Sequence, residues 1–167
     1  THGAVTVPLP KASEISIDQG TIIAARSGNR DLLALLIEKC TTQGVNAVLL
    51  QATSRGHIQL LPPVLARAPS SDTLKRGLVS SASKGHTAVL NLLISRVPDE
   101  EDRRSALNAA CSSAQLAAAS FLLEHIHVTF LDKPLSICAA KGLGVIISAI
   151  LMRFQRGVDG EDREKIR

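Results

Sequence analysis

The chain has 167 residues, a length that fits a single domain, and 45% of them are hydrophobic. Aromatic residues supply only 2%, so the core must be built from Ala, Val, Leu and Ile, which suits closely packed helices better than strands. The net charge is +4, but the cations are dispersed and the aromatic side chains that stack on bases are nearly absent. Composition therefore favours an all-helical domain, disfavours a nucleic-acid surface, and is compatible with an acidic protein partner.

Five segments of the chain align without gaps: residues 19–37, 47–65, 76–94, 105–123 and 133–151. Each contains a central position, here called the turn residue, and these are Gly28, Gly56, Gly85, Ala114 and Gly142. Small side chains lie three and four residues before the turn residue, and apolar pairs lie four and five residues after it. Glycine adopts the left-handed conformation without strain, so the pattern predicts a short first helix, a turn and an apolar-striped second helix. One unit cannot bury its stripe alone, and the units are therefore expected to stack.

The repeat resembles the ankyrin family. Lys133–Gly142 reads K-P-L-S-I-C-A-A-K-G, close to the ankyrin pattern T-P-L-H-x-A-A-x-x-G, and Gly-His pairs occur at Gly56-His57 and Gly85-His86. The resemblance implies an all-α, ankyrin-like solenoid of about five helix-turn-helix units. Its expected limits are an N-terminal extension (1–18), a repeat domain (19–154, with units near 19–46, 47–75, 76–104, 105–132 and 133–154) and a charged C-terminal tail (155–167).

The units depart from ankyrin in length, because the turn residues are spaced 28 or 29 residues apart instead of about 33. The missing residues belong to the connecting hairpin, so we expect reduced loops and a longer second helix, with Gly44–Asn46 as a remnant of the hairpin. Pro62 and Pro63 fall in the second helix of the second unit. An interior proline costs about 3 kcal/mol, so this helix is predicted to start late, near Leu61, or to be kinked there.

Aspartate stabilises the N-terminal end of a helix, so four aspartates are predicted to mark the starts of first helices: Asp18, Asp72, Asp99 and Asp132. Cations lie just before four turn residues, where they complement the helix C-terminus: Arg26, Arg55, Lys84 and Lys141. If the units stack, Arg55, Lys84 and Lys141, which share one unit position, form a ridge with a spacing of about 10 Å. Arg26 lies one residue earlier in its unit, and Ser113 interrupts the ridge in the fourth unit. A binding role and ordinary solubility explain such a ridge equally well.

The three cysteines include no CxxC pair and are odd in number, so neither a disulfide framework nor a zinc site is expected. Cys111 and Cys138 occupy small core positions and are predicted to be buried structural thiols, whereas Cys40 is predicted to be partly exposed. We expect an intracellular protein, in the cytoplasm or nucleus, or in the host cytoplasm if it is a delivered effector. No apolar run reaches the about 18 residues of a membrane span, and the absence of an initiating Met suggests a part of a larger protein.

His57 and His86 follow turn residues, and the ankyrin resemblance implies that they connect adjacent turns by hydrogen bonds. His125 and His127 point to different sides of a helix, so no metal site is expected there. The segment Asp159–Arg163 lacks the spacing of a calcium loop and is predicted to be a solvated tail. Phosphate-binding, dinucleotide-binding and hydrolase motifs are absent, so neither catalysis nor a cofactor is expected of this chain.

The function that the resemblance implies is that of a monomeric protein-protein interaction module, which binds a partner protein on its concave face. The basic ridge would suit a partner with an acidic surface. The candidate contact residues are Gln51, Arg55, Lys75, Lys84, Arg103 and Lys141. One alternative is a target-recruiting domain of a larger enzyme, such as a bacterial effector similar to the arginine ADP-riboxanases. Another is nucleic-acid binding through the basic ridge, which would depend steeply on salt.

Overall fold

The computed structural model describes residues 12–127 and 131–164, with side chains for 16–127 and 131–155. Within these residues the chain is all-helical, with ten α-helices and no strand. The first helices are α1 (Ala12–Ser27), α3 (Thr42–Arg55), α5 (Ser71–Lys84), α7 (Glu100–Ser112) and α9 (Asp132–Ala140). The second helices are α2 (Arg30–Ile37), α4 (Leu61–Ala66), α6 (Thr87–Ile94), α8 (Leu116–Leu123) and α10 (Gly144–Glu164).

Every first helix ends in the same left-handed turn. The turn residues have positive φ angles: Gly28 71°, Gly56 73°, Gly85 77°, Ala114 55° and Gly142 67°. The residue after each turn residue donates its N–H to a carbonyl five positions back: Asn29 to Ala24, His57 to Ala52, His86 to Ser81, Gln115 to Ala110 and Leu143 to Cys138. These bonds are 2.9–3.0 Å long and form a Schellman motif. The prediction that the first helices end at these positions is confirmed, including at Ala114.

The small residues before the turn are needed for close packing. The five residues whose carbonyls accept these hydrogen bonds have fully buried side chains. Each first helix packs on its own second helix and on the first helices of the neighbouring units, in the order α1, α3, α5, α7, α9. A large side chain at these contacts would hold the helices apart, which explains the Ala, Ser and Cys at this position.

The histidines that follow the turns lie over the preceding turn. His86 Nε2 is 3.3 Å from the carbonyl oxygen of Ser54, one unit earlier. A Cβ added at Gly56 would come within 2.8 Å of the His86 ring, and one added at Gly28 would come within 3.1 Å of the His57 ring. Glycine therefore both permits the left-handed turn and leaves room for the ring. The predicted structural role of His86 as a hydrogen-bonded tie is confirmed, and His57 packs in the equivalent place.

The predicted short first helix and longer second helix are wrong for the first four units, whereas in the fifth unit α10, with 21 residues, is longer than α9, with 9. α1, α3, α5 and α7 have 16, 14, 14 and 13 residues, whereas α2, α6 and α8 have 8 each. Gly44–Asn46 lies inside α3 and is not the remnant of a hairpin. The first helices start early because polar side chains before them accept N–H groups of the first turn: Thr41 from Gly44, Ser70 from Thr73 and Asp99 from Glu101.

The reduced loops and the late start of α4 agree with the sequence. The connections between the first four units are short, at residues 38–41, 67–70 and 95–99. A 3₁₀ turn, Ile58–Leu60, precedes α4, so Pro62 and Pro63 occupy the first turn of α4, where they cost no hydrogen bond. Helix α10 continues to Glu164, so Asp159–Arg163 is helical, and residues 1–11 of the predicted N-terminal extension lie outside the described residues.

Asp18 does not begin a helix, because α1 starts at Ala12. Instead its carboxylate accepts hydrogen bonds from the Thr41 N–H (2.9 Å), the Thr41 hydroxyl and the Cys40 thiol (3.0 Å), which joins α1 to the start of α3. Burial raises the pKa of Asp18, but the hydrogen bonds from Thr41 and Cys40 outweigh it and the net pKa is lowered. Asn46 repeats this tie at the next junction, where its Oδ1 accepts the Ser70 N–H at 3.0 Å.

Cys40 is buried, so its predicted partial exposure is wrong. Burial and the hydrogen bond to Asp18 raise the pKa of Cys40 to about 11. The other three aspartates lie at the beginnings of first helices, as predicted. Asp72 lies in the first turn of α5, Asp99 is the N-cap of α7, and Asp132 is the first residue of α9.

A glycine substitution separates the cost of the turn from the cost of losing the ring contact. Gly142→Ala meets nothing within 4 Å, so it should cost only the left-handed strain of about 1–2 kcal/mol. Gly56→Ala should cost at least about 1 kcal/mol more, because its methyl group collides with the His86 ring. Urea unfolding followed by circular dichroism measures both, and equal losses would contradict the ring packing.

The Asp18 tie predicts a pH dependence of stability. A carboxyl whose pKa is lowered on folding stabilises the fold above its ordinary pKa of 3.8, and this contribution is lost as the pH falls through the folded-state pKa. Asp18→Asn should therefore reduce the free energy of unfolding at neutral pH and flatten its decline below about pH 4. Identical acid sensitivity of the two proteins, measured by urea unfolding across this range, would show that Asp18 makes no such contribution.

Candidate protein-binding surface

The cations before the turns are exposed and lie at the C-terminal ends of four first helices. We call Arg26, Arg55, Lys84 and Lys141 the basic ridge. None of the four forms an ion pair with another described residue. The left-handed turn that follows each one directs the chain back toward α2, α4, α6 or α10, so the cation stays at the helix end in solvent. The exposed Ser113 occupies the ridge position of the fourth unit.

A line of half-buried aliphatic side chains accompanies the ridge. Ile22, Leu50 and Val79 occupy the same unit position on α1, α3 and α5, six residues before the turn residue. Sequence reasoning missed this aliphatic line. The signal is present in the alignment, because an aliphatic residue recurs at this position in three units. Ile22 and Val79 pack partly against the hydrophobic core and remain half-exposed. The same position is polar in the last two units, at Asn108 and Ser136, so the apolar character is confined to the first three units.

Two of the predicted contact residues lie on these helices in different environments. Gln51 is half-buried on α3, next to Leu50 of the aliphatic line. Lys75, on α5, forms an ion pair with Asp102 of α7, with Nζ 2.9 Å from Oδ2. The hydrogen bond to Asp102 raises the pKa of Lys75. Lys75 therefore joins two units, and Asp102 offsets its charge.

Arg103 is held inside the protein by backbone carbonyls. Its Nε donates to Val97 at 2.9 Å, its Nη2 to Ile94 at 3.3 Å and its Nη1 to His125 at 3.4 Å. These bonds tie the loop between α6 and α7 to the end of α8. Its guanidinium thus serves the fold, and sequence spacing gave no sign of this because the acceptors are main-chain atoms in loops. Arg67 does the same at an earlier junction, where it donates to the carbonyls of Glu38 and Cys40.

Cys111 and Cys138 are fully buried, as predicted, and their thiols are hydrogen-bonded to each other between α7 and α9. Burial, followed by the hydrogen bond to Cys138, raises the pKa of Cys111, which keeps the thiol protonated and unreactive. His125 Nδ1 lies 2.9 Å from the carbonyl oxygen of Phe121, and the two rings are 4.6 Å apart. Cys111, Cys138 and His125 therefore have structural roles in the packing and hydrogen bonding of the helices.

The described part of the chain offers neither a cluster of metal-ligating side chains nor a membrane-spanning helix. No group of three or more His, Cys, Asp or Glu side chains there is arranged to hold a metal ion. None of the helices in residues 12–127 and 131–164 combines the length and apolarity needed to cross a membrane.

No family model matches the chain, and no curated protein matches it significantly. The interpretation of the surface therefore depends on the geometry of the first helices and on the exposure of their side chains.

Arg103 and the ridge cations should differ in how much they contribute to the free energy of unfolding. Arg103→Met removes three charge-assisted hydrogen bonds and should lower the free energy of unfolding by about 1.5–3 kcal/mol. The matched change Arg55→Met removes an exposed cation and should stay within about 0.5 kcal/mol of the parent. Equal stabilities of the two variants in urea unfolding would remove the structural role given to Arg103.

Proposed function

We propose that this chain is an ankyrin-like helical-repeat module that binds a partner protein across its first helices and performs no catalysis itself. The observation that carries the proposal is the placement of the basic ridge and the aliphatic line on the same succession of first helices. The five equivalent left-handed turns, spaced 28 or 29 residues apart, support the ankyrin-like arrangement.

The surface suits an acidic segment that also carries aliphatic side chains. Exposed ion pairs contribute only about 0–1 kcal/mol each, so the ridge alone would give little affinity. The half-buried Ile22, Leu50 and Val79 provide apolar area to be covered, and this area supplies the larger part of the binding free energy. The ridge then sets the association rate and selects partners of negative charge.

Nucleic acid fits the same surface less well. The chain has no Trp and no Tyr, and an aliphatic line gives bases nothing to stack on. A target-recruiting role within a larger enzyme would use the same surface, so it extends the proposal and does not compete with it.

Charge reversal on the ridge tests the proposal. The triple variant Arg55→Glu, Lys84→Glu, Lys141→Glu should lose the proteins that the parent chain retains in a pull-down analysed by mass spectrometry. The reason is that glutamates at these three exposed positions would repel an acidic segment. Far-ultraviolet circular dichroism should be unchanged, since none of the three side chains is buried.

The matched control places the same change in net charge elsewhere. Lys39, Arg96 and Lys133 are exposed cations that lie outside the ridge, and the variant with all three changed to Glu should retain the same partners. If both triple variants lose the partners equally, net charge and not the ridge determines binding. Retention by the ridge variant would refute the proposal, and release of the bound material by nuclease would assign the surface to nucleic acid.

A further inference from the structure

The first unit exposes an apolar side chain at a position that all later units bury. Leu32 is 39% exposed, whereas its counterparts at the same unit position are at most 1% exposed: Leu60, Val89, Ala118 and Ile146. Within the described residues, no helical unit packs before the first unit. This unit position therefore faces the preceding unit, and in the first unit it is uncovered. Leu35, one turn further along α2, is 74% exposed. We call the surface around Leu32 and Leu35 the leading face.

The last unit also exposes apolar side chains at positions that the earlier units bury, on the opposite side of the stack. Leu151 is 52% exposed, whereas its counterparts are at most 7% exposed: Ile37, Leu65, Ile94 and Leu123. Ala139 is also exposed, although the equivalent Ala25, Thr53, Ala82 and Cys111 are fully buried. We call the surface around Ala139 and Leu151 the trailing face.

Contacts inside the stack show which way the trailing face points. A Cβ added at Gly77, in the third unit, would lie 3.3 Å from the methyl group of Thr53, the counterpart of Ala139 in the second unit. Cys111, at the same unit position, is hydrogen-bonded to Cys138 of the following unit. Residues at this position therefore contact the next unit along the chain, and Ala139 presents its methyl group where a next unit would lie.

Within the described residues, both end faces expose apolar side chains at unit positions that are buried inside the stack, whereas polar surfaces cap stable, isolated repeat arrays. The two faces are also complementary. Each of the four internal junctions joins the trailing side of one unit to the leading side of the next, with the same unit positions buried each time. The trailing face of one copy thus carries the side chains that pack against a leading face.

We propose that copies of this chain associate head to tail, with the trailing face of one copy packed on the leading face of the next. Such an interface is heterologous, so it does not close into a two-fold dimer, and assemblies grow with concentration. A second copy is the favoured occupant because the chain carries both matching faces and uses the same contact four times internally. This differs from the monomer expected from the repeat family.

Complementation between two variants tests the geometry. Leu32→Asp disables the leading face and Leu151→Asp disables the trailing face, and both side chains are exposed enough for the substitutions to leave the fold intact. Sedimentation velocity between about 1 µM and about 1 mM protein should show growing assemblies for the parent chain. Each variant alone should be monomeric. An equimolar mixture should form a discrete one-to-one dimer, because one intact pair of faces remains.

The control is Val145→Asp. Val145 is 69% exposed, but its counterparts Asp31, Gln59, Ala88 and Ala117 are exposed in every unit, so this position lies outside both end faces. This variant should assemble like the parent chain. A parent chain that stays monomeric up to the highest concentration would overturn the proposal. A two-fold dimer that one substitution abolishes and the mixture does not restore would overturn it as well. Circular dichroism of every variant establishes that it is folded.

Discussion

The hydrogen bond that closes each left-handed turn is the contact on which the other features depend. It joins the N–H after the turn residue to a carbonyl five positions back, and it sets how the second helix leaves the first. Because the bond recurs in all five units, the small residue that supplies the carbonyl is placed each time in the contact between first helices. In four of the units a cation just before the turn is placed at the exposed helix end. Core and candidate site therefore follow from one local geometry.

A second series of contacts joins the units at the other end of the first helices. Asp18 and Asn46 each bind the backbone N–H of the N-cap residue in the following unit, at Thr41 and Ser70. In the third unit Lys75 reaches Asp102 instead. The polar ties thus vary in chemistry while the turns do not, which indicates that the turn defines the repeat and that the ties adapt to each junction.

The sequence predicted the features that depend on short, fixed spacings. The turn positions, the buried Cys111 and Cys138, and the late start of α4 at the Pro62-Pro63 pair follow from local backbone chemistry. The helix starts were harder to predict, because hydroxyl side chains are frequent and do not mark an N-cap by themselves.

Features that depend on three-dimensional contact could not be predicted. Asp18 binds a residue 23 positions away, and Arg103 binds carbonyls in two separate loops. The aliphatic line could not be predicted because the sequence does not show which helix face stays exposed. The end faces became apparent only when the exposed fractions of equivalent residues were compared between units. Of the candidate contact residues, Arg55, Lys84 and Lys141 lie on the exposed ridge, whereas Arg103 serves the fold.

The most direct measurement of the central claim, that one closed turn organises every unit, is amide hydrogen exchange followed by nuclear magnetic resonance. The N–H groups of His57, His86 and Gln115 donate the turn-closing bonds of the internal units, so they should exchange only through global unfolding. Their apparent opening free energies should then equal the free energy of unfolding from urea. Exchange as fast as that of exposed loop amides would show that the turns are open in solution and would contradict the account.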